Sequence, residues 1–321
     1  MKKSKKTWLI VAAVFVAVGI AAVALAWIAS DGTLGDRGVK YETVEYEVNG
    51  EFDNISVVSK TEDIVFAPSD SEICKVVCRE REGVDHSVKV KDGTLNIESS
   101  DTRKWYEQLT LFSFGSPSIT VYLPRAEYAS LIIEERTGDI DIPAGFVFEN
   151  IDISATTGDI NCHASASGQI KIALTTGDVG IKGVFSETLD VSISTGDVVI
   201  EHATCDGDVT VGVSTGSARL SDITCGNLTS TGSTGSMTMK NVIAEEKISV
   251  ERTTGDVKFD ACDAGEIYVK TTTGDITGTL LSEKIFIAKT KTGSIDVPSS
   301  ISGGKCELTT RTGDIKISVA P

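Results

Sequence analysis

The tripeptide Thr-Gly-Asp or Thr-Gly-Ser occurs ten times in this chain, at near-constant intervals. Its glycines are Gly138, Gly158, Gly177, Gly196, Gly216, Gly235, Gly255, Gly274, Gly293 and Gly313, always 19 or 20 residues apart. A period of this length constrains the fold strongly, because each copy must pack against its own kind. Aligned on the glycine, the copies form columns. The preceding residue is Thr in all ten, and the following residue is Asp in seven and Ser in three (Ser217, Ser236, Ser294). Two residues after the glycine every copy is apolar, from Ile140 to Ile315, and four after it only Gly278 is not. Seven before it every copy is again apolar, from Leu131 to Cys306, and five before it only Ser230 breaks the column.

Alternation of this kind on both sides of a glycine describes two short strands joined by a turn, with one face buried. The glycine supplies a backbone conformation that a side chain resists. The Asp or Ser can accept hydrogen bonds from nearby backbone N–H groups and hold the turn. One copy cannot bury its own apolar face, but stacked neighbours can, so the columns become ladders inside a solenoid. The expected fold is all-β: a parallel β-helix, a single-stranded β-solenoid of about ten coils with one coil per repeat. Ten coils at the usual strand spacing make a body roughly 45–50 Å long.

Residues 39–129 are rich in strand patterns but irregular, and are read as an N-terminal β cap before solenoid repeats at 130–321. Within the cap, Thr61-Glu62-Asp63-Ile64 is a degenerate copy of the turn with Glu in the glycine place, and Lys91-Asp92-Gly93-Thr94 is a hairpin turn. A cap is needed because an open end strand invites further pairing.

The N-terminus has Lys2, Lys3, Lys5 and Lys6, followed by an uncharged run from Thr7 to Ser30. That run is long enough to cross a bilayer as a helix, and the lysines place the N-terminus in the cytoplasm. The expected organisation is a cytoplasmic tail at 1–6, a transmembrane signal-anchor at 7–30 and a linker at 31–38. The expected location is the cell membrane, single-pass, with the bulk extracytoplasmic. A cleaved signal peptide is the rival reading, since Ala24-Leu25-Ala26 has the form of a cleavage site. A net charge of −16 and the lack of a basic block outside the N-terminus argue against nucleic acid as a partner.

Several residues invite chemistry. The Asp column, represented by Asp139, Asp159, Asp178 and Asp197, could hold calcium between coils. Yet each coil offers a single Asp and three coils carry Ser, which suits turn stabilisation. The Thr column suggests ice binding, but a second Thr three residues before the glycine occurs only at Thr271, Thr290 and Thr310. Arg136, Arg252 and Arg311 fall near turns of distant coils, and His86, His163 and His202 share no column and join no Cys or Ser motif. No catalytic residue, cofactor or resident metal is assigned. Trp105, Tyr106, Phe112 and Phe114 form a candidate docking patch, or else pack the cap core. Cys74 and Cys78 are too far apart along a strand to bridge, whereas Cys205 and Cys225 would stack within disulfide range. Buried free thiols suit the odd count of seven.

Together, Phe52-x-x-Ile55-x-Val57, Asp92-Gly93-x-Leu95-x-Ile97, Ile119-Thr-Val121-Tyr-Leu123-Pro124 and the following coils resemble a known family. It is the bacterial putative-adhesin domain of unknown function, with β-strand repeats. The resemblance covers about residues 40–320 and implies a surface-exposed or membrane-linked protein without catalytic residues. The expected function is a non-catalytic, membrane-anchored adhesin or envelope-binding interaction module. Its expected partners are the membrane through the N-terminal helix, and an envelope or host glycan or a membrane protein. The alternatives are a regulatory ectodomain of an envelope stress response that binds a membrane sensor, and a surface polysaccharide-active enzyme.

Overall fold

The computed structural model describes residues 41–81, 83–101 and 116–320. The expected tail, membrane anchor and linker, and the aromatic patch Trp105, Tyr106, Phe112 and Phe114, lie outside the described residues. Every regular element among the described residues is a strand, and none is a helix long and apolar enough to cross a membrane.

The solenoid is built as the columns require. In the coil of Gly158, strand Val147–Thr157 runs up to the glycine turn, strand Ile160–Cys162 leaves it, and the short strand Ser165–Ala166 returns the chain to the next coil. Ile151 pairs with Leu131 on one side and Ile170 on the other, and Ile160 lies between Ile140 and Val179. All these pairings are parallel and in register, so the apolar columns become continuous interior ladders. Leu131, Ile133, Ile153, Ile170, Ile172, Val191, Val209 and Val211 are wholly buried.

The glycine column has a second cause beyond its positive φ. At Gly177, Gly196 and Gly216 an added Cβ would overlap the carbonyl oxygen of the glycine in the preceding coil. Backbone stacks directly on backbone at this corner, and any side chain would hold the coils apart. A further corner lies six residues after the glycine. There Gly183, His202, Asp222, Asn241 and Ala261 adopt left-handed φ values of 50–68°. Past this corner the strands of the later coils merge into runs such as Ala218–Thr234 and Met237–Thr254.

Both ends depart from simple stacking in chain order. The N-terminal strands are β1 (Tyr41–Glu47), β2 (Asn54–Val58), β3 (Asp63–Pro68), β4 (Lys75–Arg81), β5 (Val84–Lys91), β6 (Thr94–Asp101), β7 (Ser118–Leu123), β8 (Glu127–Thr137) and β9 (Ile140–Ile142). The β2–β3 coil is sandwiched: β2 pairs in parallel with β6 and β8, and β3 with β7 and β9. Glu62 occupies the glycine place of that coil, and the Asp139 N–H donates to Asp63 Oδ1 at 3.1 Å. Antiparallel strands then close the end, β5 against β6, and β4 against both β7 and β1. The β5–β6 hairpin turns at Asp92 and Gly93, both with positive φ. At the C-terminal end the last two coils exchange places. Gly304–Thr309 and Ile315–Val319 insert between the coils of Gly274 and Gly293.

Candidate binding groove

The side chains available to a partner are set by the parity of the long strand. Positions seven, five and three before the glycine point inward, so positions six, four and two before it point outward. The strand pairing skips one residue before the turn: Ala155 pairs with Leu174, and then Thr157 with Thr176. The position three before the glycine is therefore interior while the Thr beside the glycine is exposed, and the two share no face. This corrects the ice-binding geometry considered from the sequence: Thr271 and Thr310 are buried.

The outward column that matters is two before the glycine. It reads Arg136, Thr156, Thr175, Ser194, Ser214, Ser233, Thr253, Thr272, Lys291 and Arg311. Seven consecutive hydroxyl residues thus lie between basic ones. Beside them, four before the glycine, stand the small residues Ser154, Ala173, Ser192, Gly212 and Thr231. Small side chains on adjacent columns leave a trough between taller neighbours. The result is a groove of about 1220 Å³ that crosses nine coils, from Val58–Lys60 to Lys270. At ~4.8 Å per coil its length is roughly 38 Å. Glu134 and Arg136 mark one end and Glu251 and Lys270 the other. The sequence carries this signal in its hydroxyl column two before the glycine, next to the more uniform Thr column.

The turn column that follows the groove in sequence is rigidly laddered. Asp139 Oδ1 accepts the Asp159 N–H at 2.8 Å, Asp159 the Asp178 N–H at 2.8 Å, Asp178 the Asp197 N–H at 2.7 Å, and Asp197 the Ser217 N–H at 2.8 Å. Each carboxylate is thus committed to an amide of the next coil. The Ser217 N–H, with Arg219 at 3.1 Å adding to it, holds the Asp197 carboxyl below the usual range. Charge-assisted bonds to backbone N–H groups offset the repulsion between stacked carboxylates.

The other candidates fall elsewhere. Arg311 is exposed, and Arg252 is buried in the interior, where it donates to Ser230 Oγ at 2.9 Å and to the Thr231 carbonyl at 3.1 Å. All seven cysteines are buried free thiols, and Cys205 Sγ lies 3.3 Å from Ser186 Oγ. His202 Nδ1 faces Asp222 Oδ2 at 3.4 Å on the surface.

His86 corrects the sequence reading. Sequence spacing joined it to no cysteine, but the antiparallel cap brings it beside Cys78 and Glu80, with His86 Nδ1 at 3.0 Å from Glu80 Oε1. Below this lies a second buried carboxylate. Glu62 Oε2 accepts bonds from Ser59 Oγ and from the N–H groups of Lys60 and Thr61. Burial opposes ionisation of Glu62, but these donors outweigh it and lower its pKa. Glu135 accepts the N–H groups of Arg136 and Thr137, each at 2.9 Å. Burial, with the Glu62 charge adding to it, nevertheless pushes Glu135 up to about 7.

Among solved structures, the chain is similar to a putative adhesin from Bacteroides fragilis, with 16% identity and a TM-score of 0.41, covering 87% of this chain and 97% of the other. A putative adhesin from Parabacteroides merdae aligns at 11% identity and a TM-score of 0.43, over 73% of this chain and 95% of the other. A putative lipid binding protein from Parabacteroides distasonis aligns at 16% identity and a TM-score of 0.33, over 86% of this chain and 98% of the other. At these levels the likeness carries no functional argument. No curated protein matches the chain. Residues 52–213 and again 203–321 match the Toastrack DUF4097 family, which spans the coils and most of the cap. The chain belongs to the Toastrack DUF4097 family.

Proposed function

We propose that this protein is a non-catalytic binding module, held at the outer face of a cell membrane by residues 7–30, whose groove receives an extended glycan of the envelope or of a host. The observation that carries this reading is the run of Ser and Thr from Thr156 to Thr272 along the groove floor. Each coil offers a ligand the same hydroxyl at the same ~4.8 Å step. A single such hydrogen bond contributes only about 1 kcal/mol net, so affinity would come from repetition along a polymer. The outward acids of the groove, Glu134 and Glu251, are six coils or roughly 29 Å apart, and Glu135 beside Glu134 is buried in the interior. Paired carboxylates in glycoside hydrolysis stand about 5–9.5 Å apart, so this pair favours binding over cleavage.

The test is retention of wall and host glycans by the full chain, beside a chain with Ser194→Trp and Ser214→Trp. Both sites are exposed, so the replacements plug the groove midway without entering the core. Glycan retention by the native chain, falling at least tenfold in the plugged chain, is the expected result. Equal retention by both, or capture of a membrane sensor that ignores the plug, would overturn the reading. The latter outcome would favour a regulatory ectodomain.

A further inference from the structure

The N-terminal end of the solenoid holds a mixed cluster that the groove does not use. Cys78 and Glu80 lie on β4, two residues apart, and His86 lies on β5. One ligand atom from each comes within 4.8 Å of the other two. The sulfur, the imidazole and the carboxylate are the donor types that bind zinc, and they come from β4, paired with β1 and β7, and β5, paired with β6. Tyr46 fixes the arrangement from β1, donating to Glu80 Oε1 at 3.3 Å and to the His86 carbonyl at 3.1 Å.

A second observation is the orphaned nitrogen of His86. Its side chain is fully buried, and Nε2 has no hydrogen-bond partner. That nitrogen faces Glu62 Oε1 at 4.0 Å. Glu62 is anchored through its other oxygen by Lys60 and Thr61 N–H groups, so its free oxygen is held in place. This is the layout of a carboxylate–histidine–metal relay, in which the ring nitrogen away from the metal donates to a carboxylate. An imidazolium shared between Glu80 and Glu62 would account for the histidine, and Cys78 also packs in the apolar core; a metal is what would use all three donors together.

We propose that Cys78, Glu80 and the Nδ1 of His86 form a binding site for a single zinc-type divalent cation, with Glu62 as the positioning residue on Nε2. Zinc bonds of about 2.0–2.3 Å put ligand atoms roughly 3.3–3.8 Å apart, so His86 Nδ1 and Glu80 Oε1 would part by a few tenths of an ångström and the Cys78 sulfur would close by at most about 1 Å. The remaining coordination position is left for water. Access comes from a cleft of about 520 Å³ that opens onto Glu80 and is lined also by Glu42 and Asp85. Its lining holds three acids, Glu42, Glu80 and Asp85, against one base, Arg81, a balance that favours a cation.

The experiment uses the full chain, stripped with a chelator and titrated with Co²⁺ as a spectroscopic probe. The expected result is one equivalent of Co²⁺ per chain, with a thiolate-to-cobalt charge-transfer band and tetrahedral visible bands, both displaced by Zn²⁺. Cys78→Ser should abolish the charge-transfer band, and Glu62→Gln should weaken binding by about 10–100-fold. Cys225→Ser should leave the spectrum unchanged; Ser186 already occupies the same column one coil before Cys205. A native chain that gives no band at millimolar Co²⁺ overturns the site. So does a band that persists in Cys78→Ser, which places the metal on another thiol. Because the native chain alone can overturn the site, misfolding of a variant does not shield it.

Discussion

The middle coils and the N-terminal end use the same interior column in opposite ways. Three residues before the glycine, the middle coils place Ala155, Leu174, Ile193 and Val213, all buried against neighbours of like kind. At the N-terminal end the corresponding interior positions hold Ser59 and Glu135, with Glu62 and His86 packed beside them. Among the described residues, three buried side-chain atoms without a hydrogen-bond partner lie at this end: His86 Nε2, Ser99 Oγ and Glu135 Oε2. Each such atom costs about 1–3 kcal/mol. The coils from Ala155 to Val213 thus fill this column with apolar side chains, and the later coils admit Arg252, whose Nε also lacks a partner. The N-terminal end carries polar groups that packing alone would not select.

This contrast can be broken most sharply at the glycine corner. Gly196→Ala in the middle should destabilise by about 3 kcal/mol or more, because the Cβ meets the Gly177 carbonyl oxygen. Gly93→Ala in the cap hairpin meets no atom and should cost only about 1 kcal/mol for its positive φ. Urea denaturation of both variants measures the difference, and equal losses would remove backbone stacking as the reason for the column.

The next effect belongs to the polar end and depends on pH. The folded-state pKa of Glu135, about 7, lies above its ordinary value of 4.5. Its contribution is therefore fully present below about pH 4.5 and is lost as pH rises through 7. Glu62 has the opposite sign: its lowered pKa contributes at higher pH and is lost on acidification. Glu135→Gln should remove the loss between pH 5 and 8, stabilising the chain at pH 8 by at most on the order of 3 kcal/mol. Denaturation with chelator present, at pH 5 and at pH 8, reads this directly; a gain of the same size at both pH values would contradict it.

The smallest effect returns to the middle. Asp178→Ala deprives the Asp197 N–H of its acceptor and should cost about 1–2 kcal/mol. If the Asp ladder served a cation and not the turn, adding Ca²⁺ would stabilise the native chain and not the variant. Calorimetric melting with and without Ca²⁺ separates the two, and no Ca²⁺ effect on either is expected.

Much of this architecture was legible because the repeat states its interior four times per copy. The columns at Leu131, Ile133, Ile140 and Ile142 mark the buried face without reference to any structure. The column outlier Ser230 and the glycine at 232, three before Gly235, are one event. Ser230 and Gly232 make room for Arg252 of the next coil, whose guanidinium occupies the space a Gly232 side chain would need. Other features could not be read. The second corner is held by His202, Asp222, Asn241 and Ala261, which share a backbone angle but no common chemistry. The groove was hidden because its floor is defined by what is small. The His86 cluster was hidden because antiparallel pairing in the cap follows no repeat.

The exchange of the last two coils has a mechanical consequence. Ile315–Val319 pairs along its length with Ile276–Leu280, and its first two residues, Ile315 and Lys316, pair also with Ile295 and Asp296 on the other side. A load applied at the C-terminus therefore does not meet the outermost coil of the stack. It pulls first on residues 317–319, held among the described residues by Ile276–Leu280 alone, and then on Ile315 and Lys316, where hydrogen-bonded strands on both flanks must yield together. Peeling that begins at Val319 therefore meets a doubly held stop at Ile315 and Lys316, which an outermost coil would lack.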